Sequence, residues 1–384
     1  MHQNHARPAL SRRVALQGGA ALLAAGAVTV PAASQAADVA PTDVTPLKDL
    51  AAAKGMRFGS AVGVLKGGFN DPRTPELLAR ECNIIVPENE LKMYTTHNTA
   101  DGYNFAPGDL LLKFAQDNKM AMRGHNLFWA RDEFTPQWLK AYDFGTNPKA
   151  TAEKLLRDYI ATVTDHYGDS LTSWDVINET IDPQTGEVRS NVFSRILGMD
   201  ALRIAYEATR EHLPHMQLVY NDYMSWETGN ETHRAGVLKL LHWFRDNKVP
   251  VDAVGVQSHI GNGFDLLAGQ VNAWKGFLDE IVAMDYGLLI TEFDVDDQRI
   301  PTTDIGQRDA IVATVARIYL DQMFDYKQLR DVLCWGMDDR YTWLQGFTPR
   351  SDGVRLRPTP FDEGFKPKPL RDAIATAFIN ARER

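Results

Sequence analysis

Eight times along this chain a short apolar segment rich in β-branched residues runs into a polar turn and then into an amphipathic stretch of three or more helical turns. The strand segments fall near residues 56–62, 84–88, 121–128, 173–177, 217–221, 253–259, 287–293 and 331–336, with helical patterns such as 152–166, 201–212, 233–247 and 310–323 between them. No low-complexity linker or long charge run interrupts residues 46–384. Eight strand–helix units in one uninterrupted stretch predict a single α/β domain, closed as a parallel (β/α)8 TIM barrel. A doubly wound open sheet is the competing arrangement. It would place a phosphate-binding glycine turn after the first strand, and Gly59, Gly63, Gly67 and Gly68 have the wrong spacing.

The start of the chain reads differently. Arg7 and Ser11-Arg12-Arg13 precede an uncharged Ala/Gly/Leu/Val run that ends in Ala33-Ser34-Gln35-Ala36-Ala37. This predicts an export signal over residues 1–36, followed by a short lead at 37–45. The paired arginines resemble a twin-arginine signal, which implies bacterial export, to the periplasm or beyond, of an already folded protein. An uncleaved anchor suits the run less well, because it is rich in Ala and Gly and ends in small residues. Cleavage after Ala36 would remove three arginines and take the net charge from −9 to −12. No membrane attachment is expected after that. An acidic chain without a Lys/Arg cluster is unsuited to nucleic acid or other polyanions. Two cysteines, Cys82 and Cys334, cannot build a disulfide scaffold or a thiolate metal cluster. Pairing between them is open, and two buried thiols are the simpler reading.

Active-site groups of such barrels lie at the C-terminal ends of the strands, so polar residues that interrupt those ends carry the functional information. Here they are Glu88 and Asn89 after the second strand, His125 late in the third, and Asn178 and Glu179 after the fourth. Asn221 and Asp222 end the fifth, Gln257 and His259 lie on the sixth, and Glu292 and Asp294 lie on the seventh. A lone loop Glu is usually a solvated charge and a lone His beside an apolar strand a hydrogen-bonded core residue. So many acids and amides at matching ends reverse that judgement. Two carboxylates across a barrel mouth suit glycosidic cleavage, in which one protonates the leaving oxygen and the other attacks the anomeric carbon. Glu179 and Glu292 are the best pair. A carboxyl separation of roughly 5–5.5 Å would make the reaction retaining. The chemistry requires Glu179 to hold its proton while Glu292 is ionised, and His259 is placed to donate to Glu292.

These same residues resemble the family 10 glycoside hydrolases, chiefly endo-β-1,4-xylanases with a (β/α)8 barrel, over about residues 46–380. Pro87-Glu88-Asn89-Glu90-Leu91-Lys92 is similar to the family's Glu-Asn-x-x-Lys motif. Arg123-Gly124-His125 with Trp129 resembles its Arg-Gly-His strand, and Trp174-Asp175-Val176-Ile177-Asn178-Glu179 its acid/base signature. Tyr220-Asn221-Asp222-Tyr223, Gln257-Ser258-His259 and Ile290-Thr291-Glu292-Phe293-Asp294 match the next three strand ends. Trp335-Gly336 and Asp339-Arg340-Tyr341-Thr342-Trp343 look like its pair of sugar-covering tryptophans, and Phe361-Asp362 with Lys366-Pro367-Lys368-Pro369 its closing motif. The seven at strand ends, in the correct order, are highly specific.

The resemblance implies an endo-acting, retaining hydrolase of internal β-1,4-xylosidic bonds in xylan, working by double displacement. Glu179 would be its acid/base and Glu292 its nucleophile. Glu88, Asn89, Lys92, His125, Trp129, Asn178, Gln257, His259, Trp335 and Trp343 would hold xylan and xylo-oligosaccharides, with Asn178 on the 2-hydroxyl of the reacting sugar. Flat sugar faces stack on indole rings while their edges need amide and amine donors; for Trp335 core packing competes with that role. One departure stands out. The family follows the third-strand Trp with His and, two residues on, Gln, whereas Trp129 is followed by Ala130-Arg131-Asp132. Arg131 could meet an acidic side group of glucuronoxylan, although an Arg beside Asp132 and Glu133 is more often a surface ion pair.

Three rival functions remain at this point. A β-1,4- or mixed-linkage glucanase would share the two-carboxylate logic, and Lys92 with Glu88 and Asn89 favours xylan over it. A non-catalytic carbohydrate-binding protein would not need both glutamates. A metal-dependent hydrolase would need ligand spacing such as His-Glu-x-x-His, which is absent. No metal and no cofactor are expected, and a monomer suffices.

Overall fold

The computed structural model describes residues 44–261 and 268–384. The predicted export signal at 1–36 and nearly all of the lead lie outside the described residues. Among the described residues there are nine strands: β1 (Arg57–Val62), β2 (Ile84–Pro87), β3 (Ala121–Trp129), β4 (Ser173–Asn178), β5 (Gln217–Asp222), β6 (Ala253–Val256), β7 (His259–Ile260), β8 (Gly287–Val295) and β9 (Leu329–Cys334). All their pairings are parallel. β1 through β6 pair in sequence, β6 pairs β8, β8 pairs β9 and β9 returns to β1, which closes an eight-stranded barrel.

The ninth strand corrects one expectation. Residues 253–259 do not form one segment, because Ser258 takes a left-handed conformation (φ 64°). The chain turns there, and the two-residue β7 continues alongside the far end of β8, with His259 opposite Asp294. The helical patterns sit where expected but begin earlier, at Pro148–Tyr167, Asp200–His212, Glu231–Asp246 and Ile305–Phe324. Asp304 explains one of these starts, since its side chain accepts from Gln307 N at 2.7 Å and satisfies a first-turn N–H.

The strands are buried along almost their whole length, as expected of a parallel sheet covered by helices. Alternate residues nevertheless face different layers. Phe58, Ile85, Leu218, Leu288 and Ile290 pack in the large cluster shared with the helices. Ala61, Ile84, Val86 and Leu333, and separately Val219, Ala253 and Leu289, form two small clusters inside the barrel. This two-residue period lets one strand build both the outer core and the bore. Gly124 is needed where β3 meets β4, because a Cβ there would lie 2.2 Å from the Trp174 ring. Cys82 and Cys334 are both free and buried.

Candidate active site

Glu179 follows β4 directly and Glu292 lies within β8, and both are nearly buried, at 8% and 5% exposure. Glu179 has a positive φ of 54°, in the left-handed region that favours glycine, and its N–H donates to Asn221 O at 2.9 Å. A pairing irregularity between Ile290 and Phe293 brackets Glu292. Both glutamates therefore sit where the regular ladder has been broken.

A chain of side-chain amides joins the two carboxylates. Asn221 Nδ2 donates to Glu292 Oε1 at 2.8 Å and to Asn178 Oδ1 at 2.8 Å. Gln257 Nε2 donates to the same Asn178 oxygen at 3.4 Å and to Glu179 Oε1 at 3.0 Å. Thr291 Oγ1 donates to Asn221 Oδ1 at 2.7 Å, which fixes the orientation of that amide. Each amide is thereby held by its neighbours in a buried network.

His259 sits beside Glu292, with Nε2 3.3 Å from Glu292 Oε2 and Nδ1 3.0 Å from Asp294 Oδ1. Burial pulls the imidazole pKa down, but the charge and hydrogen bond of Asp294 and those of Glu292 outweigh it and raise it to about 10. The ring is thus a cation that donates at both nitrogens. Burial likewise pushes Glu292 up, and the His259 hydrogen bond, with His125, His259 and Lys92 as nearby charges, overcomes this and lowers it to about 2. The balance of these effects favours the carboxylate form of Glu292.

Lys92, in the loop after β2, is buried at 5% exposure. Burial lowers its pKa, opposed by the charges of Glu292, Glu88, Glu179 and Glu90. Its ammonium lies 4.4 Å from the Trp129 ring centroid and 5.7 Å from that of Trp335. Phe134 stacks on Trp129 at 3.6 Å. A ring so close on one face leaves the ammonium only the other, so both faces of Trp129 are covered and it serves Lys92 as a wall. Asn89 Oδ1 accepts from Tyr94 OH at 2.6 Å, and burial raises the pKa of neighbouring Glu88.

Trp335 stands edge-on to His125 and His259, while Trp343 tilts over His259 at 5.0 Å. His125 Nδ1 lies 2.8 Å from Asp175 Oδ2, and Arg123 NH2 donates to the other Asp175 oxygen. All twelve residues singled out in the sequence thus lie at the C-terminal end of the barrel strands or in the loops that follow. Asn221, Asp175 and Asp294 belong with them as supports. Their signal was present in the same strand ends and signatures, but their roles depend on which neighbour each side chain faces.

Arg131 was also underread. Its Nε and NH2 donate to Glu133 Oε1 at 2.8 and 2.5 Å, the ion pair expected of a surface arginine. Its NH1 reaches inward to Glu179 Oε2 at 3.1 Å. Asp132, Glu133 and Asp182 line the same depression as Arg131 and Arg189, so the surroundings do not favour an anionic ligand. Among the described residues no group of three or more His, Cys, Asp or Glu could hold a metal ion.

The sequence profile described as glycosyl hydrolase family 10 matches residues 46–377. The endo-1,4-beta-xylanase B of Thermotoga neapolitana is 29% identical over 331 residues, covering 86% of this chain and 90% of its own. A thermostable celloxylanase of Thermoclostridium stercorarium is 28% identical over 331 residues, covering 81% and 82%. Among solved structures, xylanase 10B from Thermotoga petrophila RKU-1 in complex with xylobiose superposes with a TM-score of 0.78 at 27% identity, covering 88% of this chain and 98% of that one.

Proposed function

The chain belongs to glycosyl hydrolase family 10, and from that premise we propose how its residues work as an exported endo-1,4-β-xylanase. The observation that carries the reading is the pairing of an ionised Glu292, held by His259, with a second carboxyl, Glu179, at the other end of one amide chain. Such a pair suits double displacement. Glu179 gives its proton to the glycosidic oxygen as Glu292 attacks the anomeric carbon, so the leaving xylan fragment departs with a new hydroxyl. Water then gives its proton to Glu179 and its oxygen to the anomeric carbon, and Glu292 is released as a carboxylate.

Lys92, Glu88 and Asn89 bind the sugar on the non-reducing side, His125 and Asn178 hold the reacting xylose, and Trp335 and Trp343 cover it. The relatives named as xylanases and the complex of one with xylobiose support xylan as substrate. Export rests on Ser11-Arg12-Arg13 and the apolar run behind it. No helix of the described residues is long and apolar enough to cross a membrane, and the chain works as a monomer.

The test is reducing-sugar release from glucuronoxylan, arabinoxylan and carboxymethylcellulose by the protein beside its Glu292→Ala variant, with product sizes resolved. Short xylo-oligosaccharides that vanish with the substitution are expected. Release from the cellulose derivative alone would move the substrate to a glucan, and binding without hydrolysis would make the protein a carbohydrate-binding one.

A further inference from the structure

Arg131 occupies a place that the reaction above does not require. Its guanidinium is oriented by two bonds to Glu133, which leaves NH1 for Glu179 Oε2 at 3.1 Å. The loop that carries it is itself anchored, since Asp132 Oδ1 accepts from Val192 N at 2.9 Å and Oδ2 from Arg195. The other oxygen of Glu179 takes Gln257 at 3.0 Å and Asn178 at 3.4 Å. These three side chains all donate to the carboxylate, and Arg131 is the charged one among them.

We infer that Arg131 is a positioning residue for Glu179: it fixes the carboxylate that forms when the proton leaves, and so sets the alkaline limit of the reaction. This rests on Glu179 being the acid/base. The charged and titratable groups around Glu179 are Lys92 from the loop after β2, Arg131 and Glu133 after β3, Tyr220 on β5 and Tyr223 after it, and Glu292 on β8. Lys92 is shared among four carboxylates, whereas Arg131 bonds two, Glu133 and Glu179, and gives its NH1 to Glu179. An adjacent cation makes the acid a better donor to a poor leaving group, and also shortens the pH range over which it carries a proton.

The experiment compares Arg131→Met, Arg131→Lys and Glu179→Gln with the parent protein, by pH–rate profile on xylo-oligosaccharides, by KM on glucuronoxylan and by rate on dinitrophenyl xylobioside, whose leaving group needs no proton. In Arg131→Met the alkaline limb of kcat/KM is expected to rise by about half to one pH unit, a modest shift because the guanidinium is partly exposed. Its kcat on xylo-oligosaccharides should fall about tenfold, with the first step on the dinitrophenyl substrate unchanged. Arg131→Lys should restore the limb. An unmoved limb in Arg131→Met overturns the inference, as does a rise in KM confined to glucuronoxylan, which would make Arg131 a reader of acidic substituents. If Glu179→Gln still cleaves xylo-oligosaccharides at the parent rate, the acid/base reading itself falls; if it does not, and the Arg131 limb is still unmoved, the inference alone falls.

Discussion

Trp343 is tied to Asp294 by an indole hydrogen bond, Nε1 to Oδ2 at 2.8 Å, and the other oxygen of that carboxylate lies 3.0 Å from His259 Nδ1. One buried acid thus orients both the Trp343 ring, proposed to cover the sugar, and the cation beside Glu292. Asp294→Asn should keep much of the shape while removing the charge that holds His259 protonated. A fall in kcat/KM on the order of 10- to 100-fold is expected on xylo-oligosaccharides, with an unchanged circular-dichroism spectrum.

Glu292 remains ionised far into acid. With its pKa lowered to about 2, its contribution to activity is present at and above pH 4 and is lost only as pH falls through that value. His259→Asn removes the donor and the positive charge while burial persists, so the pKa must rise. The acid limb of the pH–rate profile is expected to move up by at least one unit. A limb unmoved by the substitution would mean that Lys92 and Asn221 alone hold the charge.

Asn221 is the middle of the amide chain. Its replacement by Ala leaves Glu292 Oε1 and Asn178 Oδ1 without their 2.8 Å donor and Thr291 without its acceptor. Buried groups left unpaired cost about 1–3 kcal/mol each, so kcat/KM should fall on the order of 100-fold. Kinetics at saturating and at limiting xylo-oligosaccharide would place the loss mainly in kcat.

Asp338, in the loop after β9, offers a stability test. Burial, then the charge of Asp339, raises its pKa to about 7 against the hydrogen bonds it receives from the backbone, and its Oδ1 is buried without a partner. The folded chain keeps a proton that the unfolded chain releases above pH 4. Stability from this group therefore falls as pH rises from about 4 to 7 and stays low above that. Asp338→Asn should raise the melting temperature at pH 8 by about 2 °C or more and leave it unchanged at pH 4. Equal shifts at both pH values would contradict the assignment.

The strands and the polar groups at their ends were legible because both obey local rules: a two-residue period, and polar residues that interrupt apolar runs. The break in the sixth strand was not, since nothing in Val256-Gln257-Ser258-His259 announces a left-handed serine. Helix starts at Pro148 and Ile305 were missed because first turns are polar and carry little periodicity. Arg131 was read from its sequence neighbours, and Glu133 does pair with it. Its contact with Glu179, forty-eight positions away, depends on how the loop after β3 folds back over the barrel mouth, which no pattern within the loop encodes. The sequence groups Trp129 with the sugar-binding residues, and only packing shows Phe134 stacked on it and the Lys92 ammonium 4.4 Å from its ring centroid.

The backbone angle at Glu179 carries a cost in stability. A non-glycine residue at φ 54° costs about 1–2 kcal/mol, and glycine, with no Cβ to clash there, would be free of that strain. Folding alone does not call for a carboxyl here, so the strain at Glu179 is what the proposed acid/base role asks the backbone to carry.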